Sequence, residues 1–210
     1  MDRIKRCGIV PVIKLNDAAK AAPLAGALLE GGVDVIEITF RTAAAAAAIE
    51  SAAREFPEML VGAGTVLTAG QLETARDAGA RFIVSPGFDA DIVGAGLDMG
   101  LIMLPGCVTP TEVMAALKLG VNTLKFFPAE NFGGAAAVRA LCAPFGNVTF
   151  VPTGGISEKN AADYWKLDRV IAVGGSWMAP ESLINEGGWA EITRRTREAV
   201  ELMRSVRGSV

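Results

Sequence analysis

The chain has 210 residues, 51% hydrophobic and 20% charged, with a formal net charge of −3, a balance too apolar for disorder and too acidic for binding nucleic acid or anionic membrane through a general positive field. It contains no histidine, which excludes an imidazole base, a His-ligated zinc and a Ser-His-Asp relay. The three cysteines, Cys7, Cys107 and Cys142, are far apart and form no CxxC pair, so neither a disulfide framework nor a Cys-rich metal site is expected, and a reducing cytoplasm fits.

Charges at Asp2, Arg3, Lys5 and Arg6 precede only a short apolar run, and no stretch approaches the length of a membrane span, so an untargeted, soluble chain is expected. The first β-rich run is Ile9–Ile13. Ala21, Leu24, Ala25 and Leu28 follow at helical spacing and stop at Gly31-Gly32, before the run Val33–Phe40. The alanine run Ala43–Ala48 predicts a helix packed closely on a sheet, alanine being the best helix former. Further strands are expected at Met59–Val61, Phe82–Val84, Leu101–Leu104, Thr123–Phe127, Val148–Val151 and Val170–Val173. Gly79, Gly100 and Gly120 mark helix ends, and Thr68 with Gln71 is a weak helix start. Thr109-Pro110-Thr111-Glu112 is a stronger one, with an N-cap hydroxyl, a proline in the first turn and a glutamate that can close a capping box. A short helix is expected near Pro180. The final helix shows its stripe at Ile192, Ala199, Leu202 and Val206.

Eight βα units in one apolar chain predict a single α/β domain over residues 1–210, either a closed (β/α)8 TIM barrel or an open doubly wound sheet. Strand two decides for the barrel. Its period-two pattern puts Ile36, Ile38 and Phe40 on one face and Glu37, Thr39 and Arg41 on the other. Strands of an open parallel sheet read apolar on both faces, whereas an apolar outside and a charged inside suit a closed cylinder.

Barrel sites lie at the C-terminal ends of the strands, and polar side chains collect there: Lys14, Glu37 to Arg41, Thr65, Ser85-Pro86-Gly87 and Lys125. Alternation places Lys125 in the interior with Glu37. A lysine among Leu124, Phe126 and Phe127 is costly to bury as a cation unless a partner compensates. Two readings follow: a buried Lys125–Glu37 ion pair without chemistry, or an amine whose neutral, nucleophilic form is favoured for Schiff-base formation, with Glu37 moving protons. The second is preferred. Thr153-Gly154-Gly155-Ile156-Ser157 after strand seven and Gly174-Gly175-Ser176 after strand eight suit the phosphate cradle of barrels, so a phosphorylated small-molecule substrate is expected. Gly62-Ala63-Gly64 lacks the third glycine of a dinucleotide fingerprint, and the Gly154 loop lacks a P-loop ending. Glu30, Glu50, Glu55 and Asp77 read as a solvated face, Cys107 as packing, and neither metal nor cofactor is expected.

Six ordered blocks resemble the 2-keto-3-deoxy-6-phosphogluconate (KDPG) and 4-hydroxy-2-oxoglutarate (KHG) aldolases: Val35-Ile36-Glu37-Ile38-Thr39-Phe40-Arg41-Thr42, Val61-Gly62-Ala63-Gly64-Thr65-Val66, Ile83-Val84-Ser85-Pro86-Gly87, Leu124-Lys125-Phe126-Phe127-Pro128-Ala129-Glu130, Pro152-Thr153-Gly154-Gly155-Ile156-Ser157 and Gly174-Gly175-Ser176-Trp177. The resemblance implies a metal-independent, Schiff-base lyase of the Entner–Doudoroff pathway, a cytoplasmic homotrimer that splits KDPG into pyruvate and glyceraldehyde 3-phosphate. It implies Lys125 as the Schiff-base lysine and Glu37 as the acid/base residue. Arg41 and Thr65 match residues that hold the pyruvyl carboxylate, Pro86 and Phe127 match walls of the site, and Gly154, Gly155, Gly174, Gly175 and Ser176 match the phosphate site. Thr153 resembles the gluconate enzymes more than their phosphogalactonate-preferring relatives. Ala43 stands where many members have proline, and Lys14 where they vary.

Overall fold

Short β-branched runs alternate with Ala- and Leu-rich segments, and parallel pairing of the runs requires each connection to cross over as a helix. The computed structural model describes residues 1–208. Among these residues there are eight strands: β1 (Ile9–Ile13), β2 (Val35–Thr39), β3 (Leu60–Gly64), β4 (Phe82–Val84), β5 (Ile102–Leu104), β6 (Thr123–Phe126), β7 (Thr149–Pro152) and β8 (Val173–Gly175). The helices are α1 (Asp2–Cys7), α2 (Ala21–Glu30), α3 (Ala45–Glu55), α4 (Ala69–Asp77), α5 (Ala90–Asp98), α6 (Pro110–Lys118), α7 (Gly134–Cys142), α8 (Ala161–Trp165), α9 (Glu181–Glu186) and α10 (Trp189–Arg207).

The strands are parallel and ordered β5-β4-β3-β2-β1-β8, with β6 and β7 as a further pair. Single bridges close the cylinder: Gly106 with Lys125 on one side, Phe150 with Val170 and Thr153 with Gly174 on the other. The fold is therefore the TIM barrel expected from strand two. Ile36 and Ile38 are buried against the helices, while Glu37 and Thr39, only 2% and 1% exposed, face inward. Inside, Thr39 Oγ1 donates to the Ile13 carbonyl at 2.9 Å and the Thr123 and Thr149 hydroxyls meet at 3.0 Å, so the interior polar groups are satisfied.

Turn and cap chemistry lies where the sequence places it. Gly32, Gly79, Gly100 and Gly120 have positive φ, whereas Gly31 is right-handed. Gly31 serves instead as a contact: a Cβ there would lie 2.5 Å from Cβ of Thr196 on α10. The Thr109–Glu112 capping box forms, with Pro110 opening α6. Thr68 caps α4 by accepting from the Gln71 N–H, while Gln71 accepts from Leu67 rather than from Thr68 itself.

Several boundaries differ from expectation. β2 spans Val35–Thr39 instead of Val33–Phe40, and β3 runs on through Gly64 because it pairs with β2 as far as Thr39. β8 is Val173–Gly175 rather than Val170–Val173, since its ladder is with β1 at Ile9–Pro11, while Val170 makes the separate bridge to β7. α3 begins at Ala45, two residues into the alanine run. On α10 the buried stripe is Ile192, Thr193, Thr196, Ala199, Val200 and Met203, with Leu202 and Val206 half-buried. The two threonines tolerate burial because their hydroxyls donate to the Ala27 and Ile192 carbonyls at 3.0 and 2.7 Å. α1, absent from the sequence reading, buries Ile4 and Cys7 and is tied by Arg3 to Asp34 at 2.8 Å.

Candidate active site

Glu37 reaches the barrel interior because β2 alternates, and Gly64 makes room for it. A Cβ on Gly64 would lie 2.1 Å from Glu37 Oε1 and 2.7 Å from both Cδ and Cγ. Across the interior, Lys125 Nζ stands 3.5 Å from the same Oε1, with the two side chains 7% and 3% exposed. The amine also lies 5.0 Å from the centroid of the Phe127 ring, within cation–π range. Its backbone is fixed by the barrel seam: the Lys125 N–H donates to the Pro105 carbonyl, and its carbonyl accepts from the Cys107 N–H, both at 2.9 Å. A nucleophile and a carboxylate are thus held together in a nearly dry interior, an arrangement suited to imine chemistry.

The other anticipated residues lie, like this pair, towards the C-terminal ends of the strands. Thr65, just past β3, has φ 57° and is the one non-glycine residue with positive φ among those described, a conformation that costs about 1–3 kcal/mol and concentrates at functional sites. Pro86 follows β4, and its carbonyl packs so closely on Gly106 that a Cβ there would lie 2.1 Å away. Arg41 is exposed, with Nε donating to Thr39 Oγ1 at 3.1 Å. Thr153 is buried at the end of β7, and Gly174 beside it has no room for a Cβ, which would fall 2.2 Å from Thr153 Oγ1.

A cavity of about 260 Å³ lies at this end of the barrel; of the anticipated residues Arg41, Phe127, Thr153, Gly154, Gly155, Gly175 and Ser176 line it, whereas Lys125, Glu37, Thr65, Pro86 and Gly174 do not. The carbonyls of Thr153, Gly154 and Gly155 are occupied by the Ala129 N–H at 2.8 Å, the Glu130 N–H at 3.1 Å and Asn160 Nδ2 at 3.1 Å. Among the described residues, the Gly155 and Ser176 N–H groups meet no acceptor in the protein. Backbone N–H groups of this kind, on a loop with positive φ at Gly154 and Gly155, suit a small anion. A wider groove of about 640 Å³ lies between α2, α3 and α10. None of the anticipated residues lines it, so the chemistry is assigned to the smaller cavity.

Three features escaped sequence reasoning. Glu181, the first residue of α9, lines the cavity and accepts from Lys14 Nζ at 3.2 Å and Asn16 Nδ2 at 2.8 Å; only its place after Pro180 hinted at it. Gly64 reads only as part of an incomplete dinucleotide fingerprint, not as space for Glu37. The third is an anchor beneath the glycine loop, where Tyr164 on α8 donates to the Glu130 carboxylate and Glu130 packs on Gly155, whose Cβ would lie 2.7 Å from its Cβ and Cγ. Burial, then the bond and charge of Glu130, hold the Tyr164 phenol well above its ordinary range. Cys107 is 1% exposed, and burial, with the Glu112 charge adding, pushes its thiol up to about 12, as packing requires. Glu30, Glu50, Glu55 and Asp77 are all exposed. Among the described residues no group of three or more His, Cys, Asp or Glu side chains gathers to hold a metal ion, and no helix is long and apolar enough to cross a membrane.

Comparison with known proteins points the same way. The family profile "Aldolase: KDPG and KHG aldolase" matches residues 1–195. The chain is 44% identical over 193 residues to the KHG/KDPG aldolase of Escherichia coli K12, covering 92% of this chain and 91% of that one. It superposes with a TM-score of 0.90, at 40% identity, on the crystal structure of a KDPG aldolase from Legionella pneumophila with pyruvate captured at low pH as a covalent carbinolamine intermediate; the match covers 93% of this chain and 95% of that one. The 2-keto-3-deoxy-6-phosphogluconate aldolase of Zymomonas mobilis ZM4, solved with 3-phosphoglycerate, also gives a TM-score of 0.90, at 39% identity, with 100% of this chain and 97% of that one covered.

Proposed function

The chain belongs to the KDPG and KHG aldolase family, and we propose that it cleaves KDPG to pyruvate and glyceraldehyde 3-phosphate through a Schiff base on Lys125, and KHG to pyruvate and glyoxylate by the same route. The observation that carries the assignment is the burial of Lys125 and Glu37 together, 3.5 Å apart, with the amine 5.0 Å from the ring of Phe127, which lines the cavity that holds the anion-suited loop. The capture of pyruvate as a carbinolamine by the Legionella relative supports the same chemistry.

The unprotonated Lys125 amine attacks the C2 ketone of the substrate, and loss of water from the carbinolamine gives an iminium ion. Glu37, directly or through a water, takes the proton of the C4 hydroxyl. The C3–C4 bond breaks, its electron pair flows into the iminium, and glyceraldehyde 3-phosphate leaves behind a pyruvyl enamine. Protonation at C3 and addition of water release pyruvate and regenerate the amine. Arg41 binds the substrate carboxylate as a planar, bidentate donor, with Thr65 beside it. Pro86 and Phe127 wall the reacting carbons. Gly154, Gly155, Gly174, Gly175 and Ser176 take the phosphate, and Thr153 favours the gluconate over the galactonate epimer.

Borohydride reduction in the presence of pyruvate tests the core of this reading: mass spectrometry should find one reduced pyruvyl adduct, on Lys125. Its absence from wild-type protein, or its persistence in Lys125→Ala, refutes the assignment. We place the protein in the cytoplasm, where the free thiols of Cys7, Cys107 and Cys142 stay reduced. We further infer a homotrimer from the family resemblance. Sedimentation equilibrium measures that mass directly.

A further inference from the structure

Among the described residues lining the anion-suited cavity, Glu181 is the one acidic side chain. Both of its carboxylate oxygens accept from Lys14 Nζ, at 3.2 and 3.4 Å, and Asn16 Nδ2 donates to Oε1 at 2.8 Å. Its partners sit just past β1, and Lys14, like Glu181, lines the cavity, so the contact joins two segments 167 positions apart there. The Lys14 and Glu181 side chains are 36% and 43% exposed, open to an entering ligand. Hydrogen bonds from Lys14 and then Asn16, with the charges of Lys14 and Arg41, hold the Glu181 carboxyl below the usual carboxylate range. It is therefore anionic at neutral pH, in the same cavity as the Gly154, Gly155 and Ser176 backbone that suits a phosphate dianion.

The cleavage steps use Lys125 and Glu37 and leave Glu181 without a part, so its charge acts on binding. Resting on the aldolase reading above, we propose that Glu181 is a specificity-determining residue of the phosphate end: by pairing with Lys14 and opposing the incoming phosphoryl group, it lowers the preference for a phosphorylated substrate over the same sugar acid without that group. The sign follows from like-charge repulsion and from withdrawal of Lys14, which act together. The chemical benefit lies in product release. A grip on phosphate that is equal in substrate and transition state lowers KM without raising kcat, and glyceraldehyde 3-phosphate carries the same phosphate out.

The test compares KDPG with 2-keto-3-deoxygluconate, which differs only in lacking the phosphoryl group, using the full chain at one low ionic strength because the pair is screened by salt. In Glu181→Gln, KM for KDPG should fall about two- to fivefold, the scale of a partly exposed charge interaction, and the KM ratio of unphosphorylated to phosphorylated substrate should rise by that factor. Lys14→Ala should lower the ratio, and the double variant should show a smaller gain than Glu181→Gln alone, because only the relief of like-charge repulsion remains. Inorganic phosphate gives a reading independent of turnover: it should raise the melting temperature of Glu181→Gln more than that of wild type. An unchanged ratio, or KM values that move together for both substrates as a purely structural role at the start of α9 requires, overturns the proposal. Wild-type protein that releases pyruvate from neither substrate overturns instead the aldolase reading beneath it.

Discussion

Gly64→Ala isolates the geometry of the acid/base residue without touching a reacting group. The new Cβ would sit 2.1 Å from Glu37 Oε1, against an ordinary contact of about 3.5 Å, so the carboxylate must retreat by roughly 1.4 Å. Gly64 lies outside the positive-φ region, so alanine adds bulk but no backbone strain. A displacement of about 1 Å in a reacting group lowers turnover about 10²-fold, or about 2.7 kcal/mol in the barrier, while overpacking destabilises the barrel by about 1–3 kcal/mol. Pyruvate release followed through a coupled NADH assay should show that loss in kcat, while borohydride trapping at Lys125 persists. The cycle with Glu37→Ala is the sharper control: once the Glu37 side chain is gone the clash is gone, so Gly64→Ala should then cost almost nothing further in rate. Wild-type kcat in Gly64→Ala, or additive losses in the double variant, refutes the placement of Glu37.

Glu37→Gln should still trap pyruvate at Lys125 but cleave KDPG about 10²- to 10⁴-fold more slowly; unaltered turnover counts against Glu37 as the proton acceptor. Tyr164→Phe removes the donor to Glu130 and should cost about 1–3 kcal/mol in urea unfolding. It should also raise KM for KDPG more than for 2-keto-3-deoxygluconate, because Glu130 supports Gly155; equal shifts contradict that support. The α6 capping box gives a pH dependence. Burial tends to raise the Glu112 carboxyl, but the Val108 N–H and the hydroxyl and N–H of Thr109 outweigh it and hold the group below its ordinary range. The folded chain therefore favours the carboxylate. Its contribution is complete above the unfolded value, near about 4.3, and is lost as pH falls through the lower folded value. Thr109→Ala should remove about 1 kcal/mol at neutral pH and flatten that acid-side loss; an unchanged slope in urea titrations argues against the cap as its source.

Local signals carried the barrel far. The Glu37–Thr39–Arg41 face of β2 alternates with an apolar one, and that period is enough to separate a closed cylinder from an open sheet. The Thr109 cap was legible because all of its partners lie within four residues. What stayed hidden depends on contacts distant along the chain. Glu181 meets Lys14 across 167 positions, Tyr164 meets Glu130 across 34, and β8 takes its register from β1 rather than from its own apolar run. The α10 stripe was misplaced for a different reason: threonine reads as polar until a carbonyl accepts its hydroxyl, and then it packs as a small apolar side chain against Gly31.

The two backbone bonds of Lys125 across the seam, to Pro105 and from Cys107, give the residue a second occupation. β6 is stitched to the chain after β5 by the same residue whose side chain forms the imine, so the cylinder cannot part there without carrying its nucleophile away. Refolding and turnover thereby share one checkpoint. A chain that has collapsed and formed helices but has not joined this edge holds no reactive amine beside Glu37, and recovered activity, together with slow amide exchange at Lys125 and Cys107, dates the moment of closure.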